Sequence, residues 1–208
     1  MTILSIAALV AGAGYFLRYH VRDDLIPRNL GTVEPGHVYR AGRQSPAMLA
    51  SIVRQHGIRT VVDLGAFADS SDQDRLTRNT LAALGVRRER FVLQGDGTGD
   101  PNRYVAALRV LANPASHPVL VMCAAGAQRT SGCVALFRTI VQNRPLESAL
   151  QEAFDHRHDP GRNPHLIPYL QRWKDAIAES FRTGKPIPYD AEPVDPQRAK
   201  LADELSAQ

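Results

Sequence analysis

Cys123 and Arg129 stand six positions apart in a run of small residues, CAAGAQR, and Thr130 follows directly. A thiol held where backbone N–H groups converge sits in a positive field. Such a field lowers a cysteine from about 8.5 to roughly 3.5–7.5, which makes the thiolate the form present at neutral pH. The Arg129 guanidinium offers a planar fork that matches two oxygens of a phosphoryl group, which a lysine ammonium does not. Thr130 can donate a hydrogen bond to the sulfur and make it a better leaving group. Gly126 suits a loop that must turn with positive φ or bring its backbone close to an oxyanion. A nucleophile, an oxyanion clamp and a donor to the leaving sulfur thus lie within eight residues of sequence.

The flanking elements must position this run. Val119, Leu120, Val121 and Met122 form the continuous apolar stretch expected of a strand buried on both faces. Ser131 is expected to open a helix, because Val134, Phe137, Ile140 and Val141 recur at helical spacing. A loop between a strand end and a helix start aims N–H groups and the positive end of the helix dipole at one spot. The backbone of Ala124, Ala125, Gly126, Ala127, Gln128 and Arg129 is therefore expected to cradle an anion, most simply a phosphate. Cys133, in the first turns of the helix, is expected to pack in the core; a lesser reading makes it a redox partner of Cys123.

This strand–loop–helix unit, with Cys-x5-Arg-Thr at its centre, resembles the signature of cysteine-dependent protein tyrosine phosphatases. The surrounding chain resembles the compact dual-specificity branch. VEPGHVYRAGRQSPAML (Val33 to Leu49) and HGIRTVVDLG (His56 to Gly65) look like its first strands and helix, and Asp96-Gly97 lies upstream of the loop as in that branch. The resemblance covers roughly Asn29 to Trp173. It departs at one position: the family usually has His before the Cys, where this chain has Met122. That His helps orient the loop and tune the thiolate.

The resemblance implies hydrolysis of a phosphomonoester, phosphotyrosine and also phosphoserine or phosphothreonine, through a cysteinyl-phosphate intermediate. No metal and no organic cofactor is implied. A general acid must come from a loop able to close over the phosphate. Asp96 and Asp100 in QGDGTGD (Gln94 to Asp100), taken as a mobile loop, are the candidates. Asp96 is preferred for its Asp-Gly context and its spacing from the Cys, while Asp100 before Pro101 looks like a helix N-cap. The alternative function, favoured by Met122, is a catalytically weak pseudophosphatase that binds phosphate without turnover. A sulfur transferase of the rhodanese type is disfavoured by the longer loop and its Arg-Thr ending. Loop positions 124, 125, 127 and 128 carry no positive charge, so a phosphorylated protein is expected as partner ahead of a phosphoinositide.

Composition sets the frame. The chain has 208 residues, 44% of them hydrophobic, two cysteines and a formal net charge of +4. That allows one core with appendages and rules out a disulfide framework. The mildly basic balance suits anionic substrates or a membrane surface, but no Lys/Arg cluster with interleaved aromatics points to nucleic acid.

The fold class expected is α/β, a mostly parallel central sheet flanked by helices, because strands and helices alternate. Gly31 to Ala41 reads as a hairpin turning at Glu34-Pro35-Gly36. A helix opens at Ser45-Pro46 and closes at Gly57. Strands are expected at Thr60 to Leu64 and Glu89 to Leu93. Helices are expected at Ser70 to Leu84 with Leu76, Leu81 and Leu84 inward, at Pro101 to Leu111, at Leu146 to Phe154 and at Leu166 to Phe181. Asp63, in a buried strand, is read as structural. His156, His158 and His165 with Asp155 and Asp159 match no common metal spacing and read as a solvated helix end.

The expected domains are residues 1–20 as a membrane anchor or signal segment, 21–30 as a linker, 31–183 as the phosphatase domain and 184–208 as a flexible tail. Thr2 to Leu17 carries no charge, and as a helix would span about 24 Å, short of the roughly 30 Å of a hydrocarbon core. Arg18, Arg22 and Arg28 after it favour a single-pass anchor with the catalytic domain facing the cytoplasm. Export after cleavage near Ala11-Gly12-Ala13 is the alternative.

Overall fold

The structure, a computed structural model, describes residues 22–190. It is an α/β fold: one five-stranded sheet and six main helices. The strands are β1 (Gly31–Glu34), β2 (Val38–Ala41), β3 (Thr60–Asp63), β4 (Arg87–Arg90) and β5 (Val119–Met122), in the spatial order β1-β2-β5-β3-β4. Only the β1–β2 hairpin is antiparallel. The helices are α1 (Pro46–His56), α2 (Asp72–Ala83), α3 (Pro101–Ala112), α4 (Gln128–Leu136), α5 (Leu146–Asp155) and α6 (Leu166–Thr183).

Side-chain alternation along β5 divides the core in two. Leu120 and Met122 face α1 and α2, packing with Met48, Leu49, Ile52 and Leu81. Val119, Val121 and Cys123 face the opposite layer, with Leu108, Val134, Leu136 and Leu170. All these side chains are buried, and each contributes about 1.5–3 kcal/mol where a full Val, Leu, Ile or Met side chain leaves water. β5 lies between β2 and β3 in register, Val121 opposite both Arg40 and Val62. The loop after β5 therefore emerges at the carboxyl edge of the sheet's centre, where open α/β sheets bind ligands.

Local chemistry fixes most boundaries. Ser45 Oγ accepts from Met48 N at 3.2 Å, Pro46 opens α1, and Gly57 ends it in the left-handed region. α2 begins at Asp72 rather than Ser70, because Ser71 is the residue whose hydroxyl caps Asp74 N. Leu76, expected inward, is 53% exposed on that helix. β4 covers Arg87–Arg90 instead of the apolar Phe91-Val92-Leu93. The ladder with β3 and the carboxylates under it select the charged residues: Arg88 bonds Asp63 and Asp74, and Arg90 bonds Asp74. Burial works to raise the Asp74 carboxyl, but the two arginines outweigh it and hold it below the usual carboxylate range.

α4 starts at Gln128, three residues before Ser131, and runs on as a π-helical turn over Phe137–Val141. Pro168 falls in the first turn of α6, where its missing N–H has no intrahelical partner to lose. The expected tail is tied down at its start: Ile187 exchanges two hydrogen bonds with the Asn102 side chain, at 2.8 and 2.9 Å. Among the described residues no helix is long and apolar enough to cross a membrane. The apolar stretch Thr2 to Leu17 lies outside the described residues.

Candidate active site

The loop from Cys123 to Arg129 is shaped by what holds its carbonyl groups. Ala124 O accepts from Arg43 N at 3.0 Å. Ala125 O and Gly126 O accept from Asn29 Nδ2, at 3.3 and 3.0 Å, and Gly126 O also accepts from Arg40 Nη2 at 2.9 Å. Three consecutive carbonyls of the loop are thus bound by neighbouring segments. Gly126 has φ +71, and a Cβ there would lie 2.5 Å from Gly42 N, so only glycine lets the loop lie against the chain after β2.

Arg40 is the deepest of these supports. It is fully buried, and besides Gly126 it donates to Ser131 Oγ at 2.6 Å in the first turns of α4. Its charge partner is Glu152, 3.9 Å away. Burial lowers its guanidinium to about 10, against the pull of Glu152 and Cys123, so it remains a cation at neutral pH. Arg40→Met is expected to cut kcat/KM by about 10²-fold, because a loop misplaced by about an ångström costs that much. Steady-state kinetics on the folded variant check this; wild-type rates would remove Arg40 from the positioning of the loop.

Arg129 is held from the neighbouring strand. Its Nη1 donates to Gly65 O at 2.6 Å and, more weakly, to Leu64 O at 3.4 Å. Asp63 fixes that acceptor: its Oδ1 accepts from Gly65 N and Ala66 N at 2.8 and 2.7 Å, and its Oδ2 from Arg88. Asp63 is thus fully engaged in building the site's frame. Thr130 is completely buried, and among the described residues its Oγ1 has no hydrogen-bond partner. The expected bond to Cys123 is therefore not formed in this arrangement.

The segment expected to be mobile is held by two internal bonds and tied from outside at three points. Asp96 Oδ1 accepts from Thr98 N and Thr98 Oγ1, at 3.0 and 2.7 Å. Asp96 O accepts from Asn163 Nδ2, Gly97 O from Tyr104 Oη, and Gly99 O from Tyr169 Oη. Burial drives the Tyr104 hydroxyl well above its ordinary value, so this donor keeps its proton. Gly97 lies against Gln128: a Cβ on it would come within 3.5 Å of that backbone, which brings the Asp96 turn onto the 123–129 loop. Asp100 caps α3, its Oδ1 accepting from Asn102 N at 2.9 Å.

A cleft of about 980 Å³ opens beside the loop, lined by Ala124, Arg129, Gly65 and Gly95 and by Phe67, Leu76, Val92 and Arg43. Val92 and Leu76 are half exposed, and the Arg43 guanidinium sits 5.7 Å from the Phe67 ring centre. The two cysteines are both free and buried. Burial pushes the Cys133 thiol up to about 12, against the pull of Arg40, so it stays protonated and packs in the core.

Sequence comparison matches residues 25–179 to the model of the tyrosine phosphatase family. The chain belongs to the tyrosine phosphatase family. It is a cysteine-based phosphatase. Its fold is similar to TpbA of P. aeruginosa, at TM-score 0.61 and 22% identity over 75% of this chain and 92% of that one. It is also similar to the catalytic core of the PP-IP phosphatase SIW14 of S. cerevisiae, at 0.57 and 19% over 74% and 93%. A third likeness is to PTPMT1, at 0.57 and 17% over 72% and 96%. Against curated protein sequences there is no match.

Several residues around this phosphatase's candidate site were missed by sequence reasoning. Asn29 fell in an expected linker, yet its amide bridges the loop to His156 O at 3.1 Å and to His156 Nδ1 at 3.1 Å. Arg40 looked like one charge in a hairpin. His158, expected on a solvated helix end, is 4% exposed and meets Gln128 Oε1 through Nδ1 at 2.5 Å. Asn163 was one polar residue in a loop. The available signal was an arginine in an otherwise apolar strand, VYRA, which implies a buried partner.

Proposed function

We propose that this phosphatase hydrolyses phosphotyrosine, and by the openness of its cleft phosphoserine or phosphothreonine, through a cysteinyl-phosphate intermediate. The observation that carries the reading is the set of bound carbonyls at Ala124, Ala125 and Gly126, with the Arg129 guanidinium fixed beside them. That arrangement supports a reading in which the loop's N–H groups meet an anion next to Cys123.

The Cys123 sulfur attacks phosphorus and displaces the substrate oxygen. The N–H groups of Ala124, Ala125, Gly126, Ala127 and Gln128, with the N–H and fork of Arg129, take up charge on the equatorial oxygens. Asp96 delivers the proton to the leaving oxygen. Water then attacks the thiophosphate with Asp96 as base, and the sulfur leaves. Thr130 supports this last step: a buried hydroxyl without a partner costs about 1–3 kcal/mol, which a thiolate acceptor would relieve. Phe67, Leu76 and Val92 give the cleft an apolar wall suited to the ring of an aryl phosphate.

A substrate panel tests the reading. Phosphotyrosine peptides are expected to exceed inositol pyrophosphates and phosphoinositides in kcat/KM by at least about tenfold, since about 1.4 kcal/mol from ring contacts suffices. A preference for an inositol phosphate would overturn the substrate class. Phosphate binding without turnover would leave the pseudophosphatase that Met122 suggests. Thr2 to Leu17 and the arginines after it support a membrane tether with the catalytic domain in the cytoplasm. Full-length protein should then sediment with membranes; a soluble full-length protein, or a mature N-terminus near Gly14, would contradict it.

A further inference from the structure

A second pocket, of about 350 Å³, opens on the other side of the same loop. Its walls are Ala125, Ala127 and Gln128, and its charged lining is Arg28, Arg157, His158 and Arg162 with a single carboxylate, Asp159. Three guanidinium groups against one carboxylate make it a strongly positive place. The Arg162–Asp159 pair is exposed, at 3.7 Å, and neutralises little.

Among the described residues, two buried polar atoms of this lining have no hydrogen-bond partner: Arg28 Nη1 and His158 Nε2. Both residues are placed firmly. The Arg28 backbone is bound by Gln44 and by Gly42 N, at 2.8 to 3.1 Å. His158 N donates to Ala153 O at 2.9 Å, and its ring stacks on Phe154. Gln128 Oε1 can only accept, so His158 Nδ1 carries the hydrogen facing it. Nε2 is then a bare acceptor in the neutral ring and a second donor once protonated. Burial pushes His158 below its ordinary value and Asp159 works against that; an anion beside Nε2 would favour the protonated ring further.

We propose that this pocket binds a second phosphate-type dianion, alongside the one in the catalytic loop. The two sites would draw on adjacent residues of one loop: Ala124 and Arg129 line the cleft, and Ala125, Ala127 and Gln128 line the second pocket. The ligand is either a second phosphoryl group on the substrate or free inorganic phosphate. The first of these rests on the proposed phosphatase reading of the cleft; the pocket's affinity for phosphate does not.

Inorganic phosphate titrated into the ¹⁵N-labelled full chain reads both sites by NMR. The amide signals of Gly65 and Ala124 are expected to follow one binding curve and those of Arg157, His158 and Arg162 a second. In the doubly substituted Arg157→Ala/Arg162→Ala chain, both positions being exposed, the second curve is expected to weaken at least about tenfold and the first to persist. Signals of residues 157–162 that do not respond to phosphate, or a second curve untouched by the substitutions, would overturn the proposal. Kinetics identify the source. A tenfold rise in the KM of a doubly phosphorylated peptide relative to a singly phosphorylated one, in the substituted chain, assigns the second group to the substrate. An unchanged ratio with a weakened second curve assigns it to free phosphate. Failure of the catalytic reading has a different signature: no turnover, with the second curve intact.

Discussion

Cys123→Ser is expected to abolish turnover of any phosphomonoester, by more than about 10³-fold in kcat, while phosphate or vanadate still binds. Oxygen for sulfur replaces a thiol nucleophile by a much weaker hydroxyl, and it leaves the loop otherwise intact. The loop's shape is set by Asn29, Arg40 and Arg43 on its carbonyls, none of which depends on the sulfur. Steady-state kinetics and a phosphate titration on the same sample check both halves. Activity above a few per cent of wild type would end the covalent mechanism. Loss of binding together with activity would mean that Cys123 is needed to build the loop.

The second large effect belongs to the general acid. Asp96→Asn should lower kcat by about 10²–10⁴-fold for phosphotyrosine, whose leaving group needs a proton, and far less for an activated aryl phosphate that needs none. Asn in this place can still accept from Thr98 N and Oγ1 through its amide oxygen, so the turn over Gln128 is kept. Asp100→Asn should instead weaken the cap of α3, a change of about 1 kcal/mol at most in stability, with no dependence on leaving group. If the leaving-group dependence follows Asp100, the two residues exchange roles.

How much of this was legible in the sequence depends on how locally each feature is determined. β5 showed itself as an apolar run, and α1 through Ser45, Pro46 and Gly57, because cap and periodicity sit within a dozen residues. The capping role of Asp100 was legible for the same reason. β4 was not: its four residues, Arg87 to Arg90, are charged, and what makes them a strand is the pair of carboxylates Asp63 and Asp74, far off in sequence. Leu76 fitted an apolar helical stripe, but its side faces the cleft. The Gly-rich segment read as mobile because glycines are all that local inspection sees. Tyr104, Asn163 and Tyr169, which tie it down, arrive from three later elements.

The site divides in the same way. The proposed reactive set, Cys123, Arg129 and Thr130, lies within eight residues and is read from type and spacing. The frame that gives it a shape is assembled from Asn29, Arg40 and Asn163, each tied to the site by a hydrogen bond that spans at least one element, and from Asp63, which holds the turn two residues after it. Register shows where Met122 packs, which spacing leaves open. It lies opposite Ala41 and Asp63 and packs toward α1, on the face away from Cys123's core neighbours. Arg40, opposite Val121, is instead the residue of β2 that reaches the loop.

The central claim is that the phosphoryl group passes through Cys123. Rapid acid quenching of the wild-type enzyme during turnover of an activated aryl phosphate, followed by mass spectrometry of the peptides, tests it most directly. The account predicts one phosphoryl group on the peptide that carries Cys123, and none there in Cys123→Ser. Continued turnover with Cys123 unmodified, or the phosphoryl group on another residue, would contradict it.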